Sequence, residues 1–429
     1  MAAEDQNRSM KTKLLLFGFG LLAFTAAAAN WPAWRYDGTG ISPEKKAPVK
    51  WNTNENIRWR AELPGPGNSS PIVWENKVFI TQADGEKRDV MCFDRKTGKL
   101  LWRSGTTYGA KEQTHETNPY GSASPVTDGK RVIAWFGSAG LICFDMSGKE
   151  LWRRDLGKQD HMWGYGSSPV LFEDLCIVQF GPGAGSKLIA VNKANGEEVW
   201  RADLPENDPE VRYDGFAGKK GQALGSFSTP LSIKSGRRDE LVVSIVGELR
   251  GFDPKSGKQL WRADGLSPLV YASPVASDGV IVGAGGFMGS TVAIKSGGSG
   301  DVSKDRLWHV QREKKNRIST GVVSKGHLFI CNMDGMVQCI ELKSGIEKWT
   351  ERLKATGASG EIWGSTVLVG DNIYVVNQSG DTFVFKAEPL RLELVSVNPL
   401  KDRSNSTPAI SNGEVFIRTH RALWCVSEK

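Results

Sequence analysis

Long apolar runs are almost missing from this 429-residue chain. A helix that crosses a bilayer needs about 18–20 consecutive apolar residues. The run from Leu14 to Phe24 falls short of that, and no later segment reaches it. Helical periodicity is scarce as well, which argues against helix bundles and coiled coils. The six cysteines include no Cys-x-x-Cys spacing, so a cysteine-held metal is not expected. A Gly-x-Ser-x-Gly nucleophile turn, a phosphate-binding loop and a His-Glu-x-x-His zinc pair are all lacking. No basic run carries interleaved aromatics, so nucleic acid is not an expected partner despite a formal charge of +7.

Glycine and tryptophan are abundant instead, at 49 and 15 residues, in a composition that is 39% apolar and 24% charged. Such a chain can bury a sizeable core, and its many turn-forming residues point to an all-β protein. The surplus of positive charge biases encounters toward anionic surfaces or glycans without specifying one.

Residues 1–29 read as an export signal. Lys11 and Lys13 precede the apolar run, and Ala27, Ala28 and Ala29 offer small side chains for cleavage before Asn30. Glu4 and Asp5 stand ahead of the basic region, so Met10 is an alternative start. No cysteine lies near the cleavage point, and lipid attachment there is not expected. Cleavage leaves no transmembrane span, an N-terminal arm over 30–55 and a repeat domain over 56–429.

The repeat is visible in the stretch CFDRKTGKLLWR from Cys92. It recurs as CFDMSGKELWR at Cys143, AVNKANGEEVWR at Ala190, GFDPKSGKQLWR at Gly251 and CIELKSGIEKWT at Cys339. Degenerate copies follow Ala293 and Val384, the latter with Leu394 where tryptophan is expected. The side chains of Asp94, Asp145, Asn192 and Asp253 can accept amide bonds in the turn that follows, and Gly98, Gly148, Gly196 and Gly257 can take positive φ. Trp102, Trp152, Trp200, Trp261, Trp308 and Trp349 recur at intervals of 41 to 61 residues, the length of a four-stranded propeller blade. Packing between blades is their expected role.

A second mark repeats in step with the first. Ser70-Pro71, Ser124-Pro125, Ser168-Pro169, Thr229-Pro230, Ser273-Pro274 and Thr407-Pro408, with the variants Thr320-Gly321 and Ser365-Thr366, each open an apolar strand. Proline suits the first residue of an edge strand, because it has no amide to donate. The count predicts an eight-bladed β-propeller. After Thr407 only three strands remain, so NIRWRAEL, with Trp59, is expected to complete the last blade and hide two sheet edges.

Over the whole mature chain these motifs resemble the PQQ-like β-propeller repeat family, which includes the quinoprotein alcohol dehydrogenases and the non-enzymatic BamB-type proteins of outer-membrane barrel assembly. NWPAWRYDGTGIS, followed by LPGPGNSSPIVWENKVFIT, is most similar to secreted bacterial members. The resemblance implies a periplasmic or cell-envelope protein, monomeric, that acts as a non-catalytic binding or scaffold module. Its partner is expected to be an envelope protein, a glycan or a small polar ligand, with no cofactor. The alternative is a dehydrogenase using PQQ and calcium. The adjacent cysteine pair typical of those enzymes, and the Cys-x-x-Cys-His of haem-bearing relatives, are both missing. A second alternative is a carbohydrate-active enzyme using rim carboxylates such as Glu116 and Glu361.

In a propeller, the loops leading from one blade into the next gather around one mouth of the channel. Here the long loops offer His115, Glu116, Asn118, Trp163, Tyr165, Arg212, Asp214, Arg317, Glu361, Trp363 and Arg403 as ligand-binding candidates, aromatic platforms mixed with both signs of charge. No catalytic or metal residues are assigned. Cys92, Cys143, Cys339 and Cys425 share one repeat position with Ala190, Gly251, Ala293 and Val384, which calls for a small buried residue. A two-residue turn at Asp334-Gly335 would pair Cys331 with Gln338 and put Cys339 on the other face, so disulfides are not expected.

Overall fold

The computed structural model describes residues 29–183, 185–206, 212, 214–216, 223–313 and 315–428. The leader expected over 1–29, with its alternative start at Met10, lies outside the described residues apart from Ala29.

Each repeat folds into an antiparallel four-stranded sheet, to which blade 4 adds a short parallel fifth strand, Gly300–Asp301. Blade 1 runs from the inner strand Ile72–Trp74 through Lys77–Asp84 and Lys87–Asp94 to the outer strand Leu100–Thr107. Blades 2 to 7 repeat this order, their inner strands starting at Val126, Val170, Leu231, Val275, Val322 and Val367. The eighth sheet takes Ala409–Ser411, Glu414–Arg418 and Ala422–Ser427 from the C-terminal end of the chain and Ile57–Glu62 as its outer strand. Trp59 pairs with Cys425 and Glu62 with Ala422 in that closure. The fold is therefore the eight-bladed propeller that the two periodic marks predict, with its ring closed by the N-terminal strand.

The core sits between neighbouring blades. Phe79 and Cys92 of blade 1 pack with Val132, Phe136 and Phe144 of blade 2, for example. Outer-strand indoles extend this packing toward the next blade's turn. A Cβ on Gly98 would lie 2.6 Å from the Trp59 ring, and its φ of +70° already favours glycine. Trp102, Trp152, Trp200 and Trp308 rest in the same way on Gly148, Gly196, Gly257 and Gly345. Their indole nitrogens donate to turn carbonyls, from Trp59 to Arg95 at 2.7 Å and from Trp200 to Pro254 at 3.0 Å. The turns themselves are held by the acidic side chain, whose Oδ1 in Asp94 accepts from the Thr97 amide at 2.8 Å. The small repeat position is the cross-strand partner of the indole: Cys92 faces Trp102, Cys143 Trp152, Ala190 Trp200 and Cys339 Trp349.

Three details differ from the sequence reading. Leu394 does not occupy the tryptophan position of blade 7; a bulge places Ser396 opposite Val384 and leaves Leu394 paired with Phe385 and exposed. The missing indole is supplied by Trp51 of the arm, which is buried, stacks on Tyr374 at 6.5 Å and 7°, and donates its backbone amide to Asn398 Oδ1 at 2.9 Å. Trp261 does not clasp the next turn either. Gly300–Asp301, from the expanded turn of blade 5, pairs alongside it, and its indole donates to the buried Glu240 of its own blade at 2.7 Å. Finally, Cys331 pairs with Val337 rather than Gln338, because the loop holds Asn332 to Met336 at 2.7 Å. This one-residue shift puts Cys331 and Cys339 on the same face, in one core cluster, where both remain free thiols.

Candidate functional site

The second periodic mark turns out to be a hydrogen-bonded circuit. The amide of each marked residue donates to the hydroxyl of the next blade's marked residue: Ser70 to Ser124 at 2.8 Å, Ser124 to Ser168 at 2.9 Å, Ser168 to Thr229 at 3.0 Å and Thr229 to Ser273 at 2.8 Å. It continues from Ser273 to Thr320 at 2.9 Å, Thr320 to Ser365 at 3.0 Å, Ser365 to Thr407 at 3.0 Å and Thr407 back to Ser70 at 3.0 Å. The proline that follows most of these residues makes no amide demand of its own. Among the described residues none of the eight hydroxyls donates its hydrogen to the protein, so each keeps one donor for the channel.

Beyond the circuit the arm crosses the channel. Trp31 bridges to Val73 of blade 1, the Pro32 carbonyl accepts from Thr127 of blade 2 at 2.9 Å, and Ile41 bridges to Leu368 of blade 7. Along the inner strands of blades 1, 2 and 7 the order is leading loop, ring hydroxyl, arm contact, so the arm lies on the side away from the mouth. Arg35 is fully buried within it and donates to the carbonyls of Gly321 at 2.5 Å and Thr366 at 3.2 Å, each next to a ring residue. Among the described residues no carboxylate bonds to this guanidinium, and burial pulls it down to about 9, with Asp37 acting in the opposite sense. It still carries its charge at neutral pH.

Between mouth and circuit lies a cavity of about 370 Å³, lined by all eight ring residues. Trp34 of the arm, Trp163, Phe227, Tyr271, Phe287 and Trp363 supply its aromatic wall. Phe227 stacks on Tyr271 at 4.9 Å and 16°, and Phe287 meets Tyr271 edge-on at 5.7 Å, so one side of the wall is a fixed aromatic cluster. His161 stands behind it, edge-on to Phe227 at 5.4 Å, and burial lowers its pKa to about 4. That imidazole is neutral at neutral pH.

The sequence candidates divide in this geometry. His115, Asn118, Trp163, Glu361 and Trp363 line the cavity. Asn118 spends its amide on the carbonyls of Trp163 at 2.6 Å and Tyr165 at 2.9 Å, clipping two loops together. Glu361 accepts the Trp363 indole hydrogen at 3.0 Å. The other six lie elsewhere. Glu116 and Arg403 are exposed away from the lining. Tyr165 is buried against Trp135 at 4.9 Å with its hydroxyl on the Tyr120 carbonyl. Arg212 and Asp214 form a buried ion pair at 2.6 Å, and Asp214 faces a neighbouring pocket. Arg317 is buried among Glu313, Thr291 and Gln338. The sequence reading missed Asn68, Asn405, Trp34 and the ring hydroxyls, although the recurring Ser/Thr was already the signal for the last. Among the described residues no group of three or more histidine, cysteine or acidic side chains is placed to hold a metal.

A family profile described as outer membrane protein assembly factor BamB matches residues 44–162, 138–236 and 184–429. The chain belongs to this family. A BamB from Burkholderia pseudomallei is 23% identical over 366 residues, spanning 76% of this chain and 87% of that protein. One from Shewanella oneidensis is 25% identical over 202 residues, which is 45% of this chain and 47% of the relative. The crystal structure of BamB from Moraxella catarrhalis superposes with a TM-score of 0.62 at 13% identity, over 87% of this chain and 97% of that one. A quinohemoprotein alcohol dehydrogenase from Comamonas testosteroni gives 0.69 at 12% identity, over 94% and 81%. At such identities both structures establish a shared fold and nothing more.

Proposed function

We propose that this protein is an exported, non-catalytic propeller of the cell envelope that binds a partner or ligand at the channel mouth, as an assembly factor would. The observation that carries the reading is the composition of the cavity. Its polar lining consists of hydroxyls, amides and the His115 imidazole, with Glu361 as its single carboxylate among the described residues. Membership of the BamB family supports an envelope role. No helix among the described residues is long and apolar enough to cross a membrane, which is compatible with export.

Enzymatic alternatives find few tools in this lining. Calcium beside a quinone takes six to eight oxygen ligands, carboxylates prominent among them. The one carboxylate here is already engaged with Trp363, so the residues do not fit that pair. Glycoside hydrolysis by paired carboxylates needs a second acid across the bond, and Glu116 is not on the lining. Mature protein incubated with PQQ and calcium should therefore show neither dye-linked oxidation of alcohols or sugars nor a saturable thermal shift. A photo-crosslinking residue at Phe287 should capture an envelope component in intact cells. Dye-linked turnover, or failure of the Phe287 crosslinker to capture any envelope component in intact cells, would overturn the proposal.

A further inference from the structure

We infer that the side of the channel away from the mouth holds a second docking site, a slot beside the arm that takes an extended segment of a partner polypeptide, paired to the inner strand of blade 3. The arm itself shows how such a segment is held. Trp31 exchanges both backbone bonds with Val73 of blade 1 at 2.8 Å each, and the Pro32 carbonyl accepts from the Thr127 amide of blade 2 at 2.9 Å. Leu368 of blade 7 donates to Gly40 and accepts from Ser42, both at 2.8 Å. Val73, Thr127 and Leu368 each stand three residues after their ring hydroxyl, where the strand turns its amide and carbonyl toward the channel axis. Leu171 of blade 3 and Ser232 of blade 4 occupy the same position. Leu171 faces Cys176 in the register that sets Val73 opposite Val78, so its backbone groups point inward too. Among the described residues nothing in the channel bonds to them.

A cavity of about 410 Å³ lies against this free edge. Pro32, Trp34 and Tyr36 of the arm line one wall, and Val170, Leu171 and Pro230 belong to the other. The arm's turn bounds the slot closely, since a Cβ on Gly38, at a φ of +93°, would stand 2.9 Å from Leu231 of blade 4. Among the described inner strands, that of blade 3 alone has no buried residue, whereas those of blades 7 and 8 are buried throughout. Water can solvate the free amide and carbonyl, but it leaves the apolar walls wet. An inorganic ion gains nothing from those walls. An extended peptide pairs with the edge and covers the walls together, which is recognition by strand addition. Asp37 is the one charged side chain on the described lining; it is exposed, and its carboxylate is bonded only to Thr39. The segment that fits therefore carries a lysine or an arginine. Trp34 lines this slot and the mouth cavity alike, so the arm separates two sites on one axis.

Amide hydrogen exchange in the full mature protein tests this, with a capped synthetic peptide of the arm's own sequence Asn30–Arg35 as the probe. Without peptide, the Leu171 amide should exchange at least tenfold faster than those of Val73 and Leu368, which the arm protects. The peptide should slow Leu171 exchange at least tenfold, saturating at micromolar to millimolar concentration. Leu171→Pro removes only the amide that faces the channel, a change an edge strand tolerates. It should abolish peptide binding with an unchanged melting temperature. Should Leu171→Pro fail to fold, Asp37→Lys, at an exposed position, gives the second reading: binding of this peptide should be lost and should pass to a peptide with glutamate in place of the arginine. A Leu171 amide as protected as Val73 in the free protein, no response to the peptide, or binding that survives Leu171→Pro or the Asp37 charge reversal would each overturn the inference.

Discussion

The amide of Thr407 donates to the hydroxyl of Ser70 over 3.0 Å, joining residues 337 positions apart in the chain. This bond completes the circuit between the last blade and the first. Ser70→Ala removes the acceptor and leaves a buried amide unpaired, at a cost of about 1–3 kcal/mol. Ser70→Thr keeps the hydroxyl and should stay close to the parent. Denaturant midpoints of the two variants check the prediction, and equal losses would contradict it.

Closure of the eighth sheet sets a larger expectation. Trp59 packs on Gly98, and Arg95 of the same turn donates to Glu414 of blade 8 at 2.6 Å with both side chains buried. Deleting residues 30–62 removes the strand, the indole and the arm together, so cooperative unfolding should disappear. Glu414→Gln alone should cost about 3–5 kcal/mol, because it leaves the buried Arg95 without its counter-charge. A deletion variant that melts like the parent would refute the closure argument.

Trp51 stands in for the indole that blade 7 lacks. Trp51→Ala should destabilise by about 3–5 kcal/mol, in the range of a core tryptophan. Leu394→Ala, at an exposed position, should be nearly silent. Thermal melts of the two variants separate these outcomes.

Acid sensitivity should come from two histidines. Burial holds His161 at about 4, and His420 is lowered to about 4 by burial first and then by Arg403 and Arg418. The unfolded chain takes up these protons below about 6.5 while the folded protein refuses them. Stability is thus complete above about 6.5 and is lost as pH falls to 4, by on the order of 2–3 kcal/mol for the buried His161 and by less for the partly solvated His420. Glu206 works in the opposite direction. Burial raises it to about 7 against hydrogen bonds from Ser186 and Gly183, so its contribution is lost as pH rises from about 4.5 to 7. His161→Phe should flatten the acid limb, and Glu206→Gln the fall toward neutrality, in melting temperatures measured from pH 4 to 8.

All six cysteines are buried and free. Burial pushes the thiols of Cys92, Cys143 and Cys339 up to about 12, which leaves almost no thiolate at neutral pH. A thiol reagent should label none of the six in the native protein and all six after denaturation. Recovery of four or fewer would reveal a disulfide.

The blades were legible because their signals are local. Asp94 with its turn, Gly98 and Trp102 lie within one short stretch, and the Ser/Thr mark recurs at the same point of every sheet. What escaped depended on distant chain. Trp51 replaces a residue of blade 7 from more than 300 positions away, and no pattern near Ser396 announces it. Trp261 was diverted by the inserted Gly300–Asp301 strand, whose pairing partner the sequence does not specify. The mouth was half legible. Loop length pointed to His115, Trp163 and Trp363, which line the cavity, but the same cue swept in Arg317 and Arg212, whose charges are absorbed by buried partners.

The arm gives the channel a dead end. With Trp34 facing the cavity and Arg35 tied to Gly321 and Thr366, nothing that enters at the mouth can leave at the far side while the arm is in place. Arrival and departure share one route, so dissociation must retrace association. A substituent wide enough to hinder one step will slow the other in proportion, changing how long a guest stays far more than how tightly it is held.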